Sequence, residues 1–124
     1  MAKIFVVDDD PAIVELVRRR LELKGHEIHV ATEAIGTTRK IRELKPDVLV
    51  LDQQMPALSG TSIVKVLNES LGGNAGKRPK VLLFSSLPHD ELSAKAAEVG
   101  ADAYLCKTDG MEALEMKVRE LLGK

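Results

Sequence analysis

The chain has few of the residues that usually anchor a core. Its 124 residues include no Trp, one Tyr and two Phe, so Val, Leu, Ile and Ala must fill the interior. Cysteine is scarce as well. The single Cys106 excludes an internal disulfide and a cysteine-rich zinc site, and it fits a reducing compartment. Neither sign of charge dominates: 18 Lys+Arg stand against 19 Asp+Glu, and a net charge of -1 supplies no basic field to draw the chain onto nucleic acid. No apolar run approaches the roughly 18 residues needed to cross a bilayer. Met-Ala-Lys, four apolar residues and then three carboxylates do not read as a signal peptide. These absences leave the expectation of a small cytoplasmic domain that engages neither nucleic acid nor membrane.

What is present suits one domain spanning 1–124, with 44% hydrophobic residues to build its core. Lys3-Ile-Phe-Val-Val7 is a short β-branched run ended by carboxylates and reads as a buried strand. Residues 11–24 carry Ile13, Val14, Leu16, Val17, Leu21 and Leu23 at helical spacing, with Arg18, Arg19, Arg20, Glu22 and Lys24 on the outer face. Asp10-Pro11 starts that helix with an acceptor followed by Pro, and Gly25 stops it.

The cycle repeats, with strands over 28–31, 48–51, 81–84 and 103–105. The helices that follow cover 33–44, with Ile35, Ile41 and Leu44 inward, then 60–71 closed by Gly72-Gly73, 88–99 and 111–122. Residues 72–79 are the one linker-like stretch and read as a mobile surface loop. Five strands alternating with five helices predict an α/β fold, a parallel sheet covered on both faces. Function in such sheets sits at the carboxyl ends of the strands.

Those ends carry Asp8-Asp9-Asp10, Asp52, Ser85-Ser86 and Lys107. Clustered carboxylates repel one another, so a fold keeps them together only where a cation offsets the charge. Oxygen ligands without His or Cys favour a hard ion such as Mg²⁺. Asp10 is better used as a helix cap, which leaves Asp8, Asp9 and Asp52 for the metal. Taken alone, Lys107 could be a structural ion pair, and Ser85 could satisfy a backbone group. Alongside a metal they are the parts that phosphoryl transfer needs: a nucleophilic carboxylate, an ammonium and a hydroxyl.

Val6-Val7-Asp8-Asp9, Leu51-Asp52-Gln53-Gln54-Met55-Pro56 with Gly60, Phe84-Ser85-Ser86 and Gly100-Ala101-Asp102-Ala103-Tyr104-Leu105-Cys106-Lys107 follow one another in a joint pattern. In order and spacing it resembles the receiver domain of two-component response regulators, of the stand-alone chemotaxis type, over the whole chain. The resemblance implies a flavodoxin-like (βα)5 fold with strand order 2-1-3-4-5. It implies Asp52 as phosphoacceptor, served by a histidine kinase or histidine phosphotransfer protein. Asp9 would bind Mg²⁺ directly, Asp8 largely through water, and the Gln54 backbone carbonyl would complete the protein ligands. Lys107 and Ser85 would contact the phosphoryl group, and Tyr104 would turn inward as Ser85 moves. The surface of the fourth helix, fifth strand and fifth helix would then control a downstream protein or output domain. No enzymatic activity is expected beyond the domain's own aspartyl phosphorylation and dephosphorylation.

Two residues depart from the family pattern. Thr108 follows Lys107 where the family usually has Pro after a cis bond; a cis bond before a non-proline residue costs about 2.5–4 kcal/mol, so a trans bond is expected. Ser86 stands where Ala is common, a mild change that activity should survive. Two other readings compete. A haloacid-dehalogenase-like phosphohydrolase would use Asp8-x-Asp10 with Asp8 as nucleophile, but it leaves Asp52 unexplained. A pseudo-receiver would keep the fold as a protein-docking module without phosphorylation. Three weaker signals are set aside. Gly72 to Lys77 lacks the residues and the preceding strand of a P-loop, His26 and His29 lack a third ligand, and Cys106 reads as a small strand-end residue. With no output domain after Lys124, the expectation is a domain that signals by docking or is part of a longer protein.

Overall fold

The structure is a computed structural model that describes residues 2–70 and 78–123. Five parallel strands form one sheet in the order β2-β1-β3-β4-β5: β1 (Lys3–Val7), β2 (Glu27–Ala31), β3 (Val48–Leu51), β4 (Lys80–Ser85) and β5 (Ala103–Cys106). Between them run α1 (Pro11–Glu22), α2 (Thr37–Leu44), α3 (Gly60–Ser70) and α4 (His89–Val99), and α5 (Met111–Leu121) closes the chain after a 3-10 turn over Lys107–Asp109. The expected doubly wound fold and strand order are observed.

Alternation along the strands sorts the core into two layers. Phe5, Val7, Leu49, Leu51, Val81 and Leu83 face α2, α3 and α4, packing on Ile41, Ile63, Val64, Leu67, Leu92, Ala96 and Val99. Ile4, Val6, Val48, Val50, Leu82 and Phe84 face α1 and α5, packing on Val17, Leu21, Leu114 and Val118. Both faces are therefore covered, as the near-continuous apolar strands require, and burial of each such side chain contributes about 1.5–3 kcal/mol.

The start of α1 forms as expected: Asp10 accepts a hydrogen bond from the Ala12 N–H at 2.9 Å, with Pro11 next in the helix. Leu16 and Leu23 are exposed, so the apolar stripe of α1 is narrower than its spacing suggested, and the helix ends at Glu22. The second helix needs correction. It begins at Thr37 rather than 33, because Gly36 takes a left-handed φ of 85° that breaks any earlier turn. Ile35 falls outside the helix and is 75% exposed instead of inward. The fourth and fifth strands run one residue further than expected, which places Ser85 and Cys106 in the sheet itself. The Gly72-Gly73 stop and most of the 72–79 loop lie outside the described residues. Among the described residues no peptide is cis, so Lys107–Thr108 is trans.

The amino ends of the strands carry acidic residues too. The Asp47 carboxylate accepts from the Lys3 N–H at 2.8 Å, and Asp102 accepts from the Val81 N–H at 2.7 Å. Each staples two strand starts together. Carboxylates thus occupy both edges of the sheet, with different roles.

Candidate functional site

At the carboxyl edge the sheet order places β1 beside β3, so the residues after these neighbouring strands converge. The Asp8 N–H donates to the Ala31 carbonyl at 3.1 Å, and the Asp52 N–H donates to the Val7 carbonyl at 2.9 Å, extending the ladder one residue past the strands. Both carboxylates are thereby fixed and buried, Asp8 at 2% and Asp52 at 3% exposure. Asp9 is exposed beside them. One carboxylate oxygen from each of Asp8, Asp9 and Asp52 lies within 4.8 Å of the others.

Lys107 enters from the end of β5 and faces two of these acids. Its Nζ is 2.7 Å from Asp8 Oδ2 and 3.4 Å from Asp52 Oδ2. Burial alone would lower the Lys107 ammonium, but its hydrogen bond to Asp8 and the charges of Asp52 and Asp8 outweigh that and hold it above its ordinary value. Asp52 moves the same way for different reasons. Burial, then the charge of Asp8, raises its carboxyl above the usual range; the Gln54 N–H, Lys107 and the Ser85 hydroxyl offset part of this. A buried acid next to a second acid holds a proton more tightly, and an added cation would reverse that.

The donor set fits a hard divalent ion. Octahedral Mg²⁺ binds oxygens at about 2.0–2.1 Å, which puts trans oxygens about 4.2 Å apart, so the three acids reach it with small side-chain adjustments. The Gln54 N–H donates to Asp52 Oδ1 at 3.1 Å, which holds the Gln54 backbone at the pocket. The Gln54 side chain accepts from the Ser86 hydroxyl at 3.0 Å, a contact an Ala at 86 could not make. Ser85 is fully buried at the end of β4, and its Oγ accepts from the Leu87 N–H at 3.4 Å. Tyr104 is half-buried one strand away, with its ring edge-to-face on His89 at 6.5 Å. Tyr104 and His89 flank a groove of about 580 Å³ between α4 and β5 that reaches Ser93, Ala97 and, on α5, Lys117.

The pocket therefore gathers Asp8, Asp9, Asp52, Gln54, Ser85 and Lys107. Asp10 stays on its helix cap, which removes the second carboxylate that the phosphohydrolase reading needs. His26 and His29 belong to neither of the two donor clusters among the described residues. Burial and the Asp109 carboxylate push the Cys106 thiol up, so it is not an activated nucleophile.

One supporting pair escaped the sequence reading. The buried side chains of Gln53 and Thr61 clamp the loop after Asp52. The Thr61 N–H donates to Gln53 Oε1 at 2.7 Å, and Gln53 Nε2 donates to Thr61 Oγ1 at 3.1 Å. Gly60 lets this loop close, since a Cβ there would lie 2.5 Å from the Asp52 carbonyl oxygen. Polar residues at 53 and 61 were the available signal, but their pairing across eight residues has no local pattern.

Comparison with known proteins identifies the family. The model of the response regulator receiver domain matches residues 4–119. Response regulator MprA of Mycobacterium tuberculosis is 34% identical over 122 residues, and that of Mycobacterium leprae 32%; each match covers 97% of this chain and 50% of the relative. The chain thus spans about half the length of the relatives it matches. Vibrio cholerae chemotaxis protein CheY4 superposes with a TM-score of 0.85 at 26% identity, covering 98% of both chains. The BeF3-activated DrrB receiver domain superposes at 0.83 with 31% identity, covering 100% of this chain and 99% of that one. The chain belongs to the response regulator receiver domains of two-component signalling. Such domains are signalling modules and generally bind Mg²⁺ at an acidic pocket of this kind. No helix among the described residues is long and apolar enough to cross a membrane.

Proposed function

We propose that residues 1–124 form one receiver domain that takes a phosphoryl group on Asp52 from a phosphohistidine of a kinase or phosphotransfer protein, and that this switches the face built by α4, β5 and α5. The observation that carries this reading is Asp52 itself: a buried carboxylate at a strand end, 3.4 Å from an ammonium and beside two further acids. A carboxylate oxygen of Asp52 attacks phosphorus, the P–N bond to the donor histidine breaks, and the imidazole nitrogen takes the released electron pair. Asp9, with Asp8 and the Gln54 carbonyl, would hold Mg²⁺, which when bound neutralises phosphoryl oxygens. Lys107 would exchange part of its contact with Asp8 for the arriving phosphoryl oxygen, and the Ser85 hydroxyl would donate to another.

The new charge of about -1.5 to -2 is large enough to reset a loop with two positions. Tyr104 lies on the far side of Ser85's strand and borders the α4–β5 groove, where an inward turn would change what a partner meets. The downstream protein or output domain would read that change, with the domain acting as a cytoplasmic relay and catalysing nothing beyond its own phosphorylation and dephosphorylation.

Since the chain has one Tyr and no Trp, its intrinsic fluorescence reports Tyr104 alone. Mg²⁺ with beryllofluoride is expected to shift that signal, and Asp52→Asn to abolish the shift. An unchanged signal in a folded chain favours the docking module without phosphorylation.

A further inference from the structure

The second donor cluster lies outside the acidic pocket. His89 opens α4, Cys106 ends β5 and Asp109 closes the 3-10 turn Lys107–Asp109 that follows it; two chain segments bring three donor atoms within 4.8 Å of one another. His89 Nε2 and Asp109 Oδ1 are 3.4 Å apart. That is already the edge of a tetrahedron of ligands around Zn²⁺, about 3.3 Å for bonds of about 2.0 Å.

We infer that His89, Cys106 and Asp109 form a site for Zn²⁺, with water in the fourth position. The ligand types decide the ion. Thiolate, imidazole and carboxylate together suit a borderline-soft cation, whereas the all-oxygen pocket at Asp52 suits a hard one. The cluster has outer support as well. Asp109 Oδ2 accepts from the Cys106 N–H at 3.0 Å, which leaves Oδ1 turned toward His89. The Cys106 thiol donates to the Leu87 carbonyl at 3.2 Å, and on binding it would give its proton to solvent. His89 and Asp109 are exposed, so the ion has an open path, while Cys106 is 3% exposed and holds the inner position. The bound ion would tie the first turn of α4 to the turn that carries Lys107, two elements on either side of Tyr104.

Co²⁺ tests this directly, because a thiolate ligand gives it an intense charge-transfer absorption that oxygen ligands do not. Titration of the whole chain with Co²⁺ in excess Mg²⁺ should produce that band, and added Zn²⁺ should remove it. His89→Gln, at an exposed position that leaves the fold intact, should weaken binding by more than about tenfold, since even the outer partners of a ligand are worth that much. Asp109→Asn should act likewise, and Cys106→Ser should lose the band. Absence of the band, or a band unchanged by His89→Gln and Asp109→Asn, overturns the site. Asp52→Asn should leave it intact, which separates this result from any failure of the phosphoacceptor reading.

Discussion

The ammonium of Lys107 lies closer to Asp8, at 2.7 Å, than to the proposed phosphoacceptor Asp52, at 3.4 Å. It bridges two buried acids whose mutual repulsion would otherwise be uncompensated. In this arrangement the lysine makes its shorter contact with Asp8 and its longer one with Asp52.

Lys107→Met removes that bridge and keeps the apolar stem. Two buried carboxylates then share a site with no cation, and the chain should lose about 1–3 kcal/mol of stability at neutral pH without Mg²⁺. Urea unfolding measures it. Added Mg²⁺ should recover most of the loss, since the ion compensates the same two charges.

Asp52 carries a pH dependence of defined sign. Its native carboxyl is raised above the unfolded value by burial and by Asp8, so the native state binds that proton more tightly. Its contribution is most favourable below the unfolded pKa and is lost as pH rises through the native one. Asp52→Asn should therefore stabilise the chain at neutral pH in chelator, and the gain should fade as pH drops into the carboxylate range. Melting curves across pH would contradict this if the variant were less stable at neutral pH.

Asp9 is exposed, so Asp9→Asn should leave the fold unchanged. Mg²⁺ at a hundred times its dissociation constant should stabilise the parent chain by about 2.7 kcal/mol and the variant far less. Thermal shifts against Mg²⁺ concentration distinguish the two.

The strand-end residues were legible in the sequence because parallel strands are short, apolar and buried on both faces, so Asp8, Asp52 and Lys107 follow runs that can hardly be anything else. Strand order placed them together. Ile35 was misread because its apolar side chain fits helical spacing, while the deciding fact is the left-handed turn at Gly36 one residue later. The Gln53–Thr61 clamp, the Ser86–Gln54 bond and the preference of Lys107 for Asp8 are tertiary distances. No periodicity encodes them, and His89 joins Cys106 and Asp109 only where the start of α4 meets the end of β5.

The loop after Asp52 should be sensitive at Gly60 and Thr61. Gly60→Ala forces a Cβ to 2.5 Å from the Asp52 carbonyl oxygen and should cost about 1–3 kcal/mol through backbone shift. Thr61→Val leaves the buried Gln53 amide without its acceptor and should cost about 1–3 kcal/mol. Both should slow phosphorylation as Asp52 loses its fixed position.

Ser86→Ala removes the hydroxyl that holds the Gln54 side chain at 3.0 Å. Because both residues are exposed, stability should change by less than about 0.5 kcal/mol. Phosphorylation should survive, as measured by labelling with a small phosphodonor.

The site of phosphorylation bears most directly on the proposed role of Asp52. The chain is incubated with Mg²⁺ and acetyl phosphate, the acyl phosphate is trapped by borohydride reduction, and the modified residue is located by peptide mass spectrometry. One Mg²⁺-dependent modification is expected, on Asp52, absent from Asp52→Asn. Modification of Asp8 instead, or none in a folded, Mg²⁺-bound chain, would contradict it.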